Sequence, residues 1–481
     1  MTQAPAIRKI ARTAEADIAI EVPVVVIGAG ACGLVAALAA SDAGAQVLVL
    51  ERDALPRGST AMSSGLIPAA GTRWQAKENI SDDAWLMASD IQNKNHHEAD
   101  PAIVQALAAR SANTLHWLAD RHGIPFSLVT GFLYPGHSVM RMHGTPKRTG
   151  EELMGALLNA VEVAGIDLMC DAQVTTLLVA DDATDRVLGV ELTRPDGSTE
   201  TIGCQALILA SSGFGGNANW VAQLMPDMAG AVYYGHAGNQ GDALRWGQAL
   251  GAQTMDLSSF QGHGSLAWPH QTLVSWSIMM QGGIQVNQSG ERFSNEHDGY
   301  SEQAQRVIAQ PGGIAWNIYD QRIHESAMQF EDYRQAAEAG AVIMADTIEA
   351  LAHKTGLPAA GIEQTLQSVD QYALAASATD PQDPLGREFK PQERLSPPYC
   401  AIKVTGALFH TQGGLVVDTA ARVLDTNGDP INGLYAGGGA ARGISGAGDS
   451  GYLSGNGLLA AVMLGATAGE SAAQLVGASH G

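Results

Sequence analysis

Cysteine is scarce in this chain of 481 residues: Cys32, Cys170, Cys204 and Cys400 stand far apart, with no CxxC or CxxCH spacing. That argues against an iron–sulfur cluster, a thiolate metal site or attached haem, and it suits a reducing cytoplasm. Positive charge is also short, with 27 Lys and Arg against 49 Asp and Glu and a net charge of −22. Nucleic acid and anionic membrane surfaces would repel such a chain. Long apolar runs are missing too. The longest late one, Leu458–Gly465, is too short to span a bilayer, and Met1–Ala19 mixes basic and acidic residues without the apolar core of a signal peptide. These absences point to a soluble cytoplasmic protein with no transmembrane segment.

What is present has the pattern of an α/β protein too long for one ordinary core. Val22–Gly28 reads as a buried parallel strand, Leu34–Ala43 as a helix of small apolar residues, and Gln46–Leu50 as the next strand. Between the first two lies Gly28-x-Gly30-x-x-Gly33, and Glu51 ends the third. A glycine triplet alone is a weak signal. In a strand–turn–helix setting it allows a tight turn, close approach to a diphosphate and binding at a helix N-terminus, with Glu51 placed for a ribose hydroxyl. Further strands are expected at Asp167–Val179, Val187–Thr193, Ser198–Ile202 and Ala206–Ala210, with a hairpin turn at Pro195-Asp196-Gly197. Gly150–Gly165 and Ile348–Ala376 have helical spacing.

Three features favour FAD over NAD. They are the small-residue loop Gly58–Gly65, the strand end Ala210-Ser-Ser-Gly-Phe214, and Asn432–Gly439 leading into an apolar C-terminal helix. From residue 246 to 395 the texture changes to tryptophan, histidine and glutamine. The expected division is an N-terminal extension, loosely held, over 1–20, an FAD-binding domain over 21–245 and 396–481, and a cap or substrate domain over 246–395.

In this order the motifs resemble the fumarate reductase/succinate dehydrogenase flavoprotein superfamily, which includes the 3-ketosteroid dehydrogenases. The most specific pieces are Gly213-Phe214, Gly241-Asp242, Gly290-Glu-Arg-Phe-Ser-Asn-Glu296, His410-Thr-Gln-Gly-Gly414 and Gly433-Leu-Tyr435. The resemblance implies a two-dinucleotide-binding-fold, Rossmann-like flavoprotein domain with an inserted α+β cap. It implies FAD contacts from Gly28, Gly30, Ala31, Cys32 and Gly33, from Glu51 and Arg52, and from Ser59, Thr60, Ser64 and Gly65. It adds Val174, Ala210, Ser211, Gly213 and Asp242, then Gly439, Ala440, Ser454, Gly455 and Leu458 within the stretch 439–458. Residues 58–65 contain no histidine to attach a flavin, so FAD is expected to be non-covalent.

The same resemblance places His263 and His410 where soluble fumarate reductases hold substrate carboxylates. Two arginines of those reductases, the proton donor on the cap and the carboxylate clamp before Leu-Gly-Gly-Asn, are here Tyr300 and Tyr452. An arginine grips a carboxylate through two parallel bonds. A tyrosine offers one hydroxyl, which can donate to a ketone oxygen or, ionised, remove an α proton. The catalytic set expected is therefore Tyr300 as base, with Tyr452 and Ser454 polarising a carbonyl. The tyrosines could exchange roles, and His263 and His410 could lower a phenol pKa by two to three units. Tyr452-x-Ser454 resembles the ketosteroid branch that introduces the 4,5 double bond.

The leading expectation is FAD-dependent α,β-dehydrogenation of a 3-ketosteroid or smaller cyclic ketone, with β-hydride transfer to flavin N5 and an unidentified electron acceptor. A reductase of an activated alkene, using Arg141 or Arg442, and a flavin redox sensor stand as alternatives. His137, His143 and Arg148 could also line the pocket, and Trp268–Trp276 with Met279 and Met280 could form an apolar wall.

Overall fold

A computed structural model gives the fold and describes residues 9–14, 18, 20–182, 186–375, 380–448 and 451–478. Its centre is a six-stranded sheet in the order Arg422–Leu424, Pro430–Ala436, Ala206–Leu209, Val24–Ile27, Val47–Leu50 and Asp167–Met169. All pairs but the first are parallel. Its central strands are almost wholly Val, Ile and Leu because they are buried on both faces, with helices Ala31–Asp42 and Asn456–Ala478 and strand Val187–Thr193 packed against the sheet. Strands from both ends of the sequence meet here, Val24–Ile27 and Pro430–Ala436 flanking Ala206–Leu209.

Helix Ala31–Asp42 packs along helix Asn456–Ala478, and small residues set how closely they approach. A Cβ added at Gly465 would lie 2.5 Å from Cys32 O, and one at Gly469 2.1 Å from Ala36 O. The run Leu458–Gly465 is thus the start of a 23-residue helix. By length and composition that helix could cross a membrane, but most of it is buried inside the fold.

A second, seven-stranded sheet runs Thr272–Leu273, Phe260–Ala267, Tyr399–Thr411, Ile314–Asp320, Ile284–Val286, with Val232–Tyr233 and Ile343–Ala345 also paired to the long strand Tyr399–Thr411. That strand lies beyond residue 395, yet it is the spine of this sheet. Residues 9–13, expected in a loosely held extension, instead add a parallel edge strand to Gln173–Ala180 in a four-stranded sheet with Val187–Thr193 and Thr199–Gly203. The rest of the extension includes residues 1–8, 15–17 and 19, which lie outside the described residues. The helical stretch 348–376 is two helices, Ile348–Thr355 and Ala359–Ala373. Gly356 adopts φ +78° as the C-cap of the first, and Pro358 caps the second, so the chain turns between them.

The helix crossing yields a prediction. Gly469→Val should lower the unfolding free energy by about 1–3 kcal/mol, read as a lower urea midpoint. Gly477→Ala, where an added Cβ meets nothing within 4 Å, should not lower it.

Candidate active site

Gly28, at φ +104°, closes the first strand, and a Cβ there would lie 2.6 Å from Ala210 O. Only glycine fits both the backbone conformation and the contact. Helix Ala31–Asp42 starts after Gly30, which has no side chain to cap it; Thr60 Oγ1 accepts the Ala31 N–H at 3.2 Å, and the helix N-terminus lines a cleft. The cleft, of about 890 Å³, is lined by Gly28, Gly30, Ala31 and Cys32, by Glu51, Arg52, Ser59 and Thr60, and by Val174, Ala210, Ser211, Asp242 and Gly439. Glu51 accepts the Ala29 and Asp53 N–H groups at 2.9 and 3.1 Å, which fixes its carboxylate at the far end. Arg52 donates to Gly238 O at 3.0 Å. Two buried donors on the wall, Ser211 Oγ and Trp246 Nε1, have no partner among the described residues. Such a cleft, with glycines at the turn, a carboxylate for a ribose and unpaired buried donors, fits a dinucleotide.

Of the other expected FAD contacts, Ser64, Gly65, Ser454, Gly455 and Leu458 line an adjoining cavity of about 1090 Å³. Ser59, Thr60, Ser212, Gly439 and Ala461 line both spaces, which therefore adjoin. Gly33, Gly213 and Ala440 line neither. They act behind the wall, since a Cβ at Gly33 would meet Gly28 O at 1.9 Å and one at Gly213 would meet Thr411 Oγ1 at the same distance. Asp449 and Ser450, within the expected stretch 439–458, lie outside the described residues.

The adjoining cavity brings together Tyr300, Tyr452, Ser454, His263 and His410. Tyr300 opens helix Tyr300–Ile308 after Gly299 at φ +141°. The preceding motif is a buried brace: Arg292 donates to both Glu296 oxygens at 2.9 and 2.7 Å, and Trp276 Nε1 donates to Glu296 O at 3.1 Å. Burial alone would raise the Glu296 carboxyl, but Arg292 and Arg387 hold it down to about 2. His263 sits on strand Phe260–Ala267, where register shifts flank it and turn its ring into the cavity. It is stacked between Tyr300 and Phe409, with ring centroids 4.8 and 5.3 Å away. Tyr452 stands edge-on to Tyr300 at 6.1 Å and to His410 at 6.2 Å.

Hydrogen bonds rank the two phenols. Ser454, Tyr452 and the Gly455 backbone favour ionisation of Tyr300, while for Tyr452 the Gly457 N–H, accepted at 3.3 Å, and the Gly455 backbone favour ionisation and Tyr300 opposes it. Burial nevertheless dominates. It pushes Tyr300 up to about 12 and Tyr452 well above the ordinary phenol range. The same burial lowers His263 to about 3 and also depresses His410. The expected help from histidinium charge is therefore absent, because both rings are neutral at neutral pH.

The arginines weighed as substitutes lie elsewhere: Arg141 is fully buried between Asp82 and Asp90, and Arg442 donates to Asp256 at 2.6 Å. Arg148, expected as a possible wall residue, reaches Gln329 at 3.3 Å and does not line the cavity. His143 bonds Thr72 at 2.8 Å, and His137 meets Ser454 O at 2.9 Å from behind the turn. Leu273, Ser275 and Trp276 line the cavity, whereas Trp268, Met279 and Met280 do not. Tyr134, Tyr234 and Phe409 also line it and were missed from sequence. The aromatic doublets Tyr233-Tyr234 and Phe409-His410 were the available signal. Among the described residues the lining holds no Asp, Glu, Lys or Arg.

The FAD binding domain family matches residues 23–458. A probable fumarate reductase of Shewanella frigidimarina is 29% identical over 451 residues, 94% of this chain and 74% of that protein. The 4-oxocyclohexanecarboxylate 2-dehydrogenase of Sinomonas cyclohexanicum is 26% identical over 535 aligned positions, 90% of this chain and 92% of that protein. Among solved structures, a 3-ketosteroid-Δ4-(5α)-dehydrogenase from Rhodococcus jostii, in complex with 4-androstene-3,17-dione, is similar with a TM-score of 0.75. It is 26% identical, covering 97% of this chain and 100% of that one.

The buried histidines set an acid limit on stability. His263 is lowered to about 3, and His137, His143 and His297 to about 4, chiefly by burial. Below about pH 6.5 the unfolded chain binds protons at these sites that the folded protein does not. Their stabilisation is complete above that pH and fades as pH falls toward 4 and then 3. Thermal melting should therefore drop clearly between about pH 7.5 and about pH 5; an unchanged melting temperature would contradict the burial of neutral imidazoles.

Proposed function

The chain belongs to the FAD binding domain family and is a flavin-dependent oxidoreductase of the fumarate reductase group; from that premise we propose that it desaturates a neutral ketone. The substrate class on this reading is a 3-ketosteroid or a smaller cyclic ketone. The observation that carries it is the cavity lining, which sets Tyr300, Tyr452 and Ser454 beside two neutral histidines and includes no ionised side chain among the described residues. A dicarboxylate buried there would lack the guanidinium partners it needs. Arg141 and Arg442 are committed to aspartates. A ketone needs only a hydrogen-bond donor at its oxygen and a base at its α carbon.

Tyr300 is the base on this reading, because its surroundings favour its phenolate while Tyr300 opposes ionisation of Tyr452. It takes the α proton. Tyr452 keeps its proton and, with Ser454, orients and polarises the carbonyl. Bound FAD supplies the acceptor for the hydride leaving the β carbon. Leu66, Leu273, Trp276 and Phe409 contribute apolar surface that excludes water from the carbon being deprotonated. The reading divides the chain into an FAD unit drawn from both ends, carrying Tyr452 and Ser454, and a cap carrying His263 and Tyr300. Four cysteines free of disulfides suit a cytoplasmic setting.

A panel of steroidal and monocyclic ketones with an artificial electron acceptor tests the proposal. Turnover is expected with a saturated ketone, and Tyr300→Phe should lower kcat by about 10²–10⁴. Since burial holds the base high, kcat/KM of the natural enzyme should climb with pH through the alkaline range. Full activity in Tyr300→Phe, or turnover of unsaturated acids alone, would sink the reading.

A further inference from the structure

A buried charge cluster lies behind the glycine-rich turn, outside the cavity wall. Arg141 donates to Asp82 through Nε at 3.0 Å and Nη2 at 2.9 Å, and to Asp90 through Nη1 at 2.5 Å. The carboxylates are held in turn, Asp82 by Gln75 at 2.8 Å and Asp90 by the Ser138 N–H and hydroxyl at 2.8 and 2.6 Å. Arg141 Nη1 also reaches His137 Nδ1 at 3.3 Å. A guanidinium can only donate, so Nδ1 accepts and the imidazole proton sits on Nε2. That Nε2–H donates to Ser454 O at 2.9 Å. Burial, and then the charge of Arg141, lower His137 to about 4, so the ring is neutral and this tautomer persists at neutral pH.

The Ser454 carbonyl and the Gly455 N–H belong to one peptide group, and a trans peptide points them in opposite directions. The carbonyl faces His137. The N–H therefore points away from His137, toward the cavity that Gly455 lines together with Tyr300 and Tyr452. The turn is held against this segment: a Cβ at Gly136 would lie 2.7 Å from Leu453 Cδ1.

We propose that His137 and Arg141 are positioning residues for Tyr300, acting on its phenol through the single Ser454–Gly455 peptide. Arg141 draws electron density from the imidazole and makes Nε2–H a stronger donor. That polarises the Ser454 carbonyl and strengthens the Gly455 N–H, the bond that a Tyr300 phenolate would accept. Asp82 and Asp90 moderate the guanidinium charge. Tyr300 also faces Tyr452, Tyr134, His263 and the Lys94-paired Glu302; of these Tyr134 touches His137, its backbone carbonyl accepting the His137 N–H at 3.2 Å, a bond that substitutions of the imidazole leave in place. The use made of this relay rests on Tyr300 being the base; the relay itself does not.

The test reads the phenol rather than turnover. Difluorotyrosine, which ionises in a lower pH range, is placed at position 300 of the FAD-loaded protein and titrated by fluorine NMR. His137→Phe, which keeps a ring and loses the donor, should raise the apparent pKa by about one unit. His137→Gln, with an amide N–H, should restore part of the shift. Asp90→Asn leaves the guanidinium less compensated and should move the titration the other way, downward, which loosened packing would not do. An unmoved titration, or a rise, in Asp90→Asn overturns the proposal even where His137→Phe does not fold. Because no ketone is turned over, these results stand apart from failure of the desaturase reading, which would appear as inactive natural enzyme with the titration shifts intact.

Discussion

Tyr300 and Tyr452 share one buried space whose wall, among the described residues, includes no ionised side chain, and that is the constraint on which the substrate end depends. Burial fixes the resting state: Tyr300 and Tyr452 hold their protons, and His263 and His410 are neutral. Negative charge arising there during reaction must be met by hydrogen-bond donors fixed beforehand. The glycine-rich turn supplies them from its backbone. A Cβ at Gly457 would fall 2.2 Å from His410 Nε2, and Gly455, at φ +87°, would place one 2.6 Å from Pro68 Cδ. Glycine is required at both positions for the N–H groups to approach the phenols.

The rest of the architecture brings this turn to the cap. The sheet drawn from both chain ends sets the FAD cleft at its strand ends, and the long C-terminal helix carries the turn onto it through its close crossing with Ala31–Asp42. From the other side, the Arg292–Glu296 brace and the bulged strand Phe260–Ala267 present Tyr300 and His263. The Lys94–Glu302 ion pair joins the two sides next to Tyr300. The positions of the phenols are thus over-determined by charge pairs and packing that touch no ligand.

The FAD half was largely legible in the sequence because local pattern and tertiary role coincide there. Val24–Ile27, Gly28, Gly33 and Glu51 each carry a signal within one strand–helix–strand unit. The boundary near residue 395 and the role of Tyr399–Thr411 were less legible, since that strand pairs with segments more than a hundred residues away in sequence. Tyr300 and Tyr452 could be singled out through motif offsets. Their protonation could not, because it depends on how much water the folded cavity excludes. Arg141 and His137 read as candidate wall residues in sequence; only the fold shows Arg141 between two aspartates and His137 behind Ser454.

Charge, more than shape, decides between the ketone and carboxylate readings of this cavity. Anaerobic spectroscopy of the FAD-loaded protein measures that choice directly. Addition of a saturated cyclic 3-ketone should bleach the oxidised flavin absorbance, while fumarate should not reoxidise the chemically reduced enzyme. Rapid reoxidation by fumarate, with no bleaching by any steroidal or monocyclic ketone, would contradict the account.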